Sequence, residues 1–249
     1  MSGHSAWANI KHKKQANDAK RGKIFSKIAK EMMISVRSNG KDPVTNLTLR
    51  TLLQKARASN MPSTNIERAI QRGAGEVEGE IFEEVMYEGY AQGGVGVIVQ
   101  VLTSNRNRAA AEVRHTFTRF GGNLGAQNSV MRSFQRKGVI LVEDSVVTEE
   151  KLMEVALEAG ASDLSHDAEA KQFEITTEPG AFGPVVEALA KANLATTSAE
   201  LSLVPDLMVP VTEAGPAKKL VDFMEALEDL DDVQNVYTNA DIDPKLVEG

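Results

Sequence analysis

Few residues in this sequence stand in patterns that could make or break bonds. Ser165-His166-Asp167 holds the residue types of a nucleophilic relay, but consecutive residues project in diverging directions and cannot pass a proton along one line. They read instead as a self-satisfied polar cluster in a loop. Gly121-Gly122-Asn123-Leu124-Gly125 has the glycine content of a phosphate-cradling loop, yet no Gly-Lys-Ser/Thr follows and no Rossmann spacing surrounds it. Gly121 is expected as the left-handed end of the preceding helix, with Gly122 and Gly125 serving the turn. His4 and His12 have no thiolate or nearby carboxylate to complete a metal site. The 249 residues contain no cysteine, which excludes disulfides, thiolate metal sites and cysteine nucleophiles. Carboxylates crowd the region after residue 139, but no two stand out as an acid/base pair. No catalytic residue, metal ligand or cofactor is assigned, and the chain is expected not to be an enzyme.

The charge distribution says more than the motifs. The formal net charge is −7, but residues 1–75 carry 15 Lys and Arg against 4 Asp and Glu, a net of +11. Residues 103–138 hold Arg106, Arg108, Arg114, Arg119, Arg132, Arg136 and Lys137 against the single acid Glu112, a net of +6. Residues 139–249 hold 6 basic and 24 acidic residues, a net of −18. Such segregation points to a polyanionic partner on one side of the molecule. No run of about 18 apolar residues exists, so no membrane span is expected. The N-terminus lacks the apolar core of a secretory signal, and with no cysteine present the expected location is the cytoplasm.

The elements that must carry these charges follow from periodicity. From Lys20 to Val36 the apolar Ile24, Phe25, Ile28, Met32 and Val36 recur at helical spacing, with Lys20, Lys23, Lys27 and Lys30 on roughly the opposite side. A second helix is expected after Asp42-Pro43, with Leu49, Leu52, Leu53 and Ala56 inward, ending at Asn60-Met61-Pro62. A third begins near Thr64, where Thr64 and Glu67 have capping-box spacing, and closes at Gly73. Strands and helices then alternate. Val95–Leu102 reads as a buried strand, Arg106–Phe120 as a helix, Val139–Val142, Gln172–Thr176 and Glu200–Val204 as strands, and Glu149–Ala159 and Phe182–Ala192 as helices. A last strand, helix and strand are expected at Leu207–Val211, Pro216–Leu230 and Val233–Thr238.

The predicted class is α+β with three domains. Residues 1–78 form a basic three-helix bundle, 79–132 and 206–249 a discontinuous α/β domain, and 133–205 a ferredoxin-like domain inserted into it. The strand–helix start before residue 133 and the strand–helix–strand end after 205 each lack a half. The simplest arrangement lets them complete each other in a second ferredoxin-like layer.

Phosphate binding needs many cations on one face, supplied as Arg forks or Lys point charges. Lys11, Lys13, Lys14, Lys20, Arg21, Lys23, Lys27 and Lys30 meet that need within one short stretch. If about five phosphates were neutralised on duplex DNA, log K would fall with log salt at a slope near −4.5. Base reading is less evident, since no zinc finger, basic zipper or aromatic RNA-binding signature is present. Trp7 suits either stacking on a base or anchoring the N-terminal arm. Phe134 reads as a core residue at a strand start rather than a stacking platform among Arg132, Arg136 and Lys137.

Four stretches carry a family likeness: GHSAWANIKHKKQANDAKRGKIFSK, NMPSTNIERAIQRGAG, YEGYAQGGVGVIVQVLTSNRNRAAAEVRHTFTRFGGNLG and ALEAGASD. They closely resemble the YebC/PmpR family of probable transcriptional regulators, which is related to the mitochondrial translational activator of cytochrome c oxidase subunit I. The resemblance implies a helical domain followed by two α/β domains and a bacterial cytoplasmic protein. It implies a DNA-binding transcriptional regulator. Its alternative is a ribosome-associated translation factor that binds ribosomal RNA or mRNA and relieves stalling at proline-rich stretches. By this likeness the expected nucleic-acid contacts are Lys11, Lys13, Lys14, Lys20, Arg21, Lys23, Lys27, Arg106, Arg108 and Arg114. Asn128 stands where relatives usually have glycine, and Arg132 where they commonly have an aromatic residue.

Overall fold

The structure is a computed structural model that describes residues 18–168 and 170–247. It opens on three helices, α1 (Asp18–Asn39), α2 (Leu47–Ala58) and α3 (Ser63–Gly73). The heptad-like apolar positions read from the sequence form their common core: Ile28, Met32 and Val36 of α1 pack with Leu49, Leu52 and Ala56 of α2 and Ala69 of α3. Asn46 caps α2 by accepting from the Leu49 amide at 3.0 Å, while its amide nitrogen donates to the carbonyls of Ser35 and Gly40.

The third helix begins differently from expectation. Pro62 occupies its N-cap and no side chain caps it, so Thr64 and Glu67 form no capping box. Proline at this position pre-sets the backbone at the helix entry but offers no side-chain acceptor to the first amides. Gly73 is the last helical residue, but its role is close approach: a Cβ there would lie 2.7 Å from the Met33 carbonyl oxygen of α1. The left-handed residue after the helix is Gly75, at φ 74°.

Strand β1 (Glu83–Tyr90) and β2 (Gly96–Thr103) follow as an antiparallel hairpin, registered from Glu83 opposite Thr103 to Tyr90 opposite Gly96. Its turn places Gly93 and Gly94 at φ 78° and 77°, a pair of left-handed residues that glycine alone adopts without cost. The strand β1 was not separately legible, because EEVMYEGY opens on two exposed glutamates and buries Glu88 and Gly89, so it shows no clean alternation. Helix α4 (Arg106–Arg119) and the short β3 (Asn123–Leu124) come next. Gly121 is left-handed at φ 74°, as the sequence implied for the end of α4.

The chain then enters a second fold unit. Strand β4 (Phe134–Glu143), helix α5 (Glu149–Glu158), β5 (Ala161–Asp167), β6 (Gln172–Thr177), helix α6 (Phe182–Lys191) and β7 (Ser198–Pro205) build one antiparallel sheet of order β5-β6-β4-β7. This is the ferredoxin-like β-α-β-β-α-β arrangement. Its core joins Ile140, Val142, Phe173 and Ile175 of the sheet to Leu152, Ala156, Val185 and Leu189 of the helices. The segment read as a polar loop at 165–167 is in fact strand β5. As an edge strand it tolerates the polar sequence ASDLSHD, which also discourages pairing with another chain.

Strand β8 is only Val209–Val211 and pairs in parallel with β10 (Ala240–Ile242). Between them run helix α7 (Ala214–Glu228) and β9 (Val233–Thr238), which joins the first sheet in the order β3-β1-β2-β9. Phe223 of α7 meets Phe117 edge-on at 4.9 Å and Phe120 at 5.5 Å, so α4 and α7 share one layer. The described chain forms two compact units. One is Met131–Thr212 with the segment from Tyr237 onward; the other is the chain up to Val130 with Glu213–Val236.

Candidate nucleic-acid interface

The lysines of α1 do not face solvent alone. Lys23 Nζ donates to the Asp229 carbonyl at 2.7 Å, Lys27 Nζ to the Glu228 carbonyl at 3.0 Å, and Lys30 Nζ to the Asp231 carbonyl at 2.9 Å. All three ammonium groups therefore converge on the turn that ends α7. The last turn of α7 has no basic residue of its own. The carbonyls of the turn that ends it and the negative end of the helix dipole are met by cations from α1.

Asp232 anchors this contact. Its Oδ1 accepts from Lys30 Nζ at 2.8 Å, and its Oδ2 accepts from Arg108 Nη2 at 2.6 Å and from Thr103 Oγ1 at 2.8 Å. Burial alone would push the Asp232 carboxyl up, but the hydrogen bonds from Lys30, Arg108 and Thr103 and the Lys30 charge outweigh it and hold the pKa below the ordinary value. The same hydrogen bond and charge raise the Arg108 guanidinium further above its already high value. The Asp232 backbone also accepts from the Leu102 amide at 2.8 Å, tying the turn to β2.

The expected contact residues thus divide. Lys23 and Lys27 lie on the acidic turn, and Arg108 lies on Asp232. Arg106 is exposed and 3.7 Å from Glu83. Arg114 is exposed on α4, beside the exposed His115. Lys20 and Arg21 belong to the first turn of α1, with side chains outside the described part of the structure. Lys11, Lys13 and Lys14 lie outside the described residues, as do Trp7, His4 and His12. In the middle basic patch Arg132 and Arg136 are exposed, while Phe134 is buried at the start of β4, the core position expected of it.

The residues that had the types for catalysis do not line up as a relay. Ser165 sits opposite Glu174 and His166 opposite Phe173, so strand alternation sends Ser165 and His166 to different sides of the sheet. His166 stacks on Phe173 at 4.6 Å and its Nε2 is 3.0 Å from Asp144. In the glycine loop, Gly122 and Gly125 are sites of close approach; a Cβ on Gly122 would lie 2.8 Å from the Tyr90 carbonyl oxygen. Glu88, buried beneath this loop, accepts from the Asn128 amide at 2.7 Å and the Val130 amide at 2.8 Å. Asn128 itself is left-handed at φ 63°, a conformation asparagine tolerates and glycine favours. Among the described residues no group of three or more His, Asp or Glu could hold a metal ion. No helix among them is long and apolar enough to cross a membrane.

Residues 5–76 match the TACO1/YebC protein N-terminal domain, and residues 82–240 match the TACO1/YebC second and third domain. The chain belongs to the TACO1/YebC family. Among relatives, a protein of Treponema pallidum (strain Nichols) is 51% identical over 247 residues, covering 99% of this chain and 100% of its own. One from Geobacter sulfurreducens is 48% identical over 248 residues, covering 100% of this chain and 99% of its own. Both bear the name probable transcriptional regulatory protein. The crystal structure of a conserved hypothetical protein from Aquifex aeolicus superimposes with a TM-score of 0.84 at 45% identity, covering 93% of this chain and 95% of that one. The fold is therefore that of the TACO1/YebC family: a helical region followed by α/β layers.

Sequence reasoning missed Asp232 and its turn in this family member. The acidic run Glu228, Asp229, Asp231 and Asp232 was visible, but it counted only toward the net of −18 over residues 139–249. The usable signal was a helix lacking any basic residue in its last turn, followed by acids. Lys23, Lys27 and Lys30 supply the complementary row at helical spacing.

Proposed function

We propose that the protein is a nucleic-acid-binding regulatory protein and, within that class, a DNA-binding regulator of transcription. The observation that carries this reading is the row of ammonium groups on α1, which engages successive anionic or carbonyl oxygens on one strand of chain. A row of that chemistry is what a phosphodiester backbone requires. The net of +11 over residues 1–75 gives it the long-range field that draws a polyanion in. The names of the relatives agree in class, since they are called probable transcriptional regulatory proteins.

Phosphate contacts position the protein, and sequence preference then arises through shape and deformability rather than a base-reading helix. Gel-shift titration against promoter fragments and mixed-sequence competitor tests this, run beside sedimentation with ribosomes through a salt series. The proposal expects preferential retention of specific DNA. Retention on ribosomes with no sequence preference in DNA would contradict it and favour structured RNA, which is recognised largely through backbone and shape.

A further inference from the structure

We infer that the turn Glu228–Asp232 is an intramolecular stand-in for nucleic acid, so that a phosphate backbone reaches Lys23 and Lys27 only by displacing it. The inference rests on the reading that the α1 lysine row binds nucleic acid, and it adds a regulation of that row.

The turn has the features of a competing ligand. It presents the Glu228, Asp229 and Asp231 carbonyls and the Asp229 and Asp232 carboxylates to three lysines in succession. With a helical rise of 1.5 Å per residue, those lysines project at intervals of about 4.5 to 6 Å along α1. A single-strand phosphate row offers anionic oxygens on a similar scale, so the two ligands compete for the same cations.

Burial grades the contact from a loose end to a fixed one. The Lys23–Asp229 pair is 43% and 69% exposed at 3.5 Å, whereas the Lys30–Asp232 pair is 12% and 6% exposed at 2.8 Å. Arg108, Thr103 and the Leu102 amide hold Asp232 further. An incoming polyanion therefore exchanges with the turn first at Lys23, where water already competes, and then at the part-buried Lys27. Lys30 and Arg108 stay on Asp232 and act as the hinge. Of the expected contact residues, Lys23 and Lys27 become ligand-exchanging groups and Arg108 a positioning residue.

The test measures fluorescence anisotropy of a labelled mixed-sequence duplex of about 20 base pairs at low and moderate salt. It compares the wild-type chain, Asp229→Asn/Asp231→Asn, Lys23→Gln/Lys27→Gln and the control Glu67→Gln/Asp222→Asn. The control removes two exposed acids elsewhere and so reports the effect of net charge alone. The expected result is binding about three- to tenfold tighter in the turn variant than in the control. Loss of affinity in the lysine variant with a turn variant no tighter than the control overturns the stand-in and leaves the nucleic-acid reading intact. Unchanged affinity in the lysine variant overturns both. A second readout avoids substitutions. On addition of the duplex, amide exchange should quicken at Leu230, which donates to the Leu227 carbonyl at 3.2 Å, and at Val233, which donates to the Leu230 carbonyl at 3.2 Å. Slower or unchanged exchange there counts against displacement.

Discussion

Lys30 and Asp232, 202 positions apart in the chain, form an ion pair of 2.8 Å with side chains only 12% and 6% exposed. The pair joins the first helix to the turn before the last strand of the first sheet. Removing the carboxylate leaves Lys30 buried without its counter-charge, and that is the costly direction. Asp232→Ala is expected to lower stability by about 3–5 kcal/mol. Thr103→Val, which removes one donor while Lys30 and Arg108 remain, should cost about 1–2 kcal/mol. Urea unfolding midpoints check both values.

The same carboxylate gives a pH dependence of defined sign. Its pKa is lower in the folded protein than the ordinary 3.8, because donors from Lys30, Arg108 and Thr103 outweigh burial. The unfolded chain therefore takes up the proton first as pH falls. The contribution is complete above 3.8 and is lost as pH drops through the lower native value. The stability gap between wild type and Asp232→Asn should stay level from neutrality to about pH 5 and close only in stronger acid. A gap that closes near neutrality would place the effect on another group.

Gly73 tests the packing of the helical region. A Cβ there would meet the Met33 carbonyl oxygen at 2.7 Å, its Cα at 2.9 Å and Val36 Cβ at 2.9 Å, all on α1. Backbone cannot yield as a flexible side chain can, so α3 must move away. Gly73→Ala should cost about 1–3 kcal/mol by thermal or urea unfolding. Gly75→Ala makes a useful contrast, because its Cβ would meet nothing within 4 Å and its penalty is the left-handed φ alone.

The proposed domain boundaries, 1–78, 79–132 with 206–249, and 133–205, make a prediction by proteolysis. Phe117 and Phe120 of α4 pack on Phe223 of α7, and β2 lies beside β9. A fragment of residues 79–132 would expose that apolar face and leave β2 without its outer neighbour. It should not survive limited digestion as a folded piece, whereas 133–205 carries a complete four-strand, two-helix layer. Recovery of a stable 79–132 fragment would refute this partition.

Much of the fold was legible because periodic burial is local information. The seam Ile28, Met32, Val36, Leu49, Leu52 and Ala56 was visible as spacing and is the helical core. The missed strands, β1 and β5, are polar and half-exposed, so neither shows the alternation that marks a sheet residue. The charge of α1 was equally visible, but not its partner. Which oxygens a lysine meets depends on chain folded back from some two hundred residues away, and pattern along the sequence carries no register for that. Asp232 illustrates the point: its acidic neighbours mark the turn as a place for cations, but not which acid gathers Lys30, Arg108 and Thr103.

The central claim is that the basic N-terminal region grips a polyanion through its phosphates. The most direct measurement is the dependence of duplex DNA affinity on salt for wild type and for Lys11→Ala/Lys13→Ala/Lys14→Ala. With about five phosphates neutralised, the wild-type plot of log K against log salt should have a slope near −4.5, a loss of roughly 500-fold between 50 and 200 mM. The triple variant should bind more weakly on every sequence with a slope shallower by up to about 2.7. A wild-type slope near zero, or a slope that the three substitutions leave unchanged, would contradict the account.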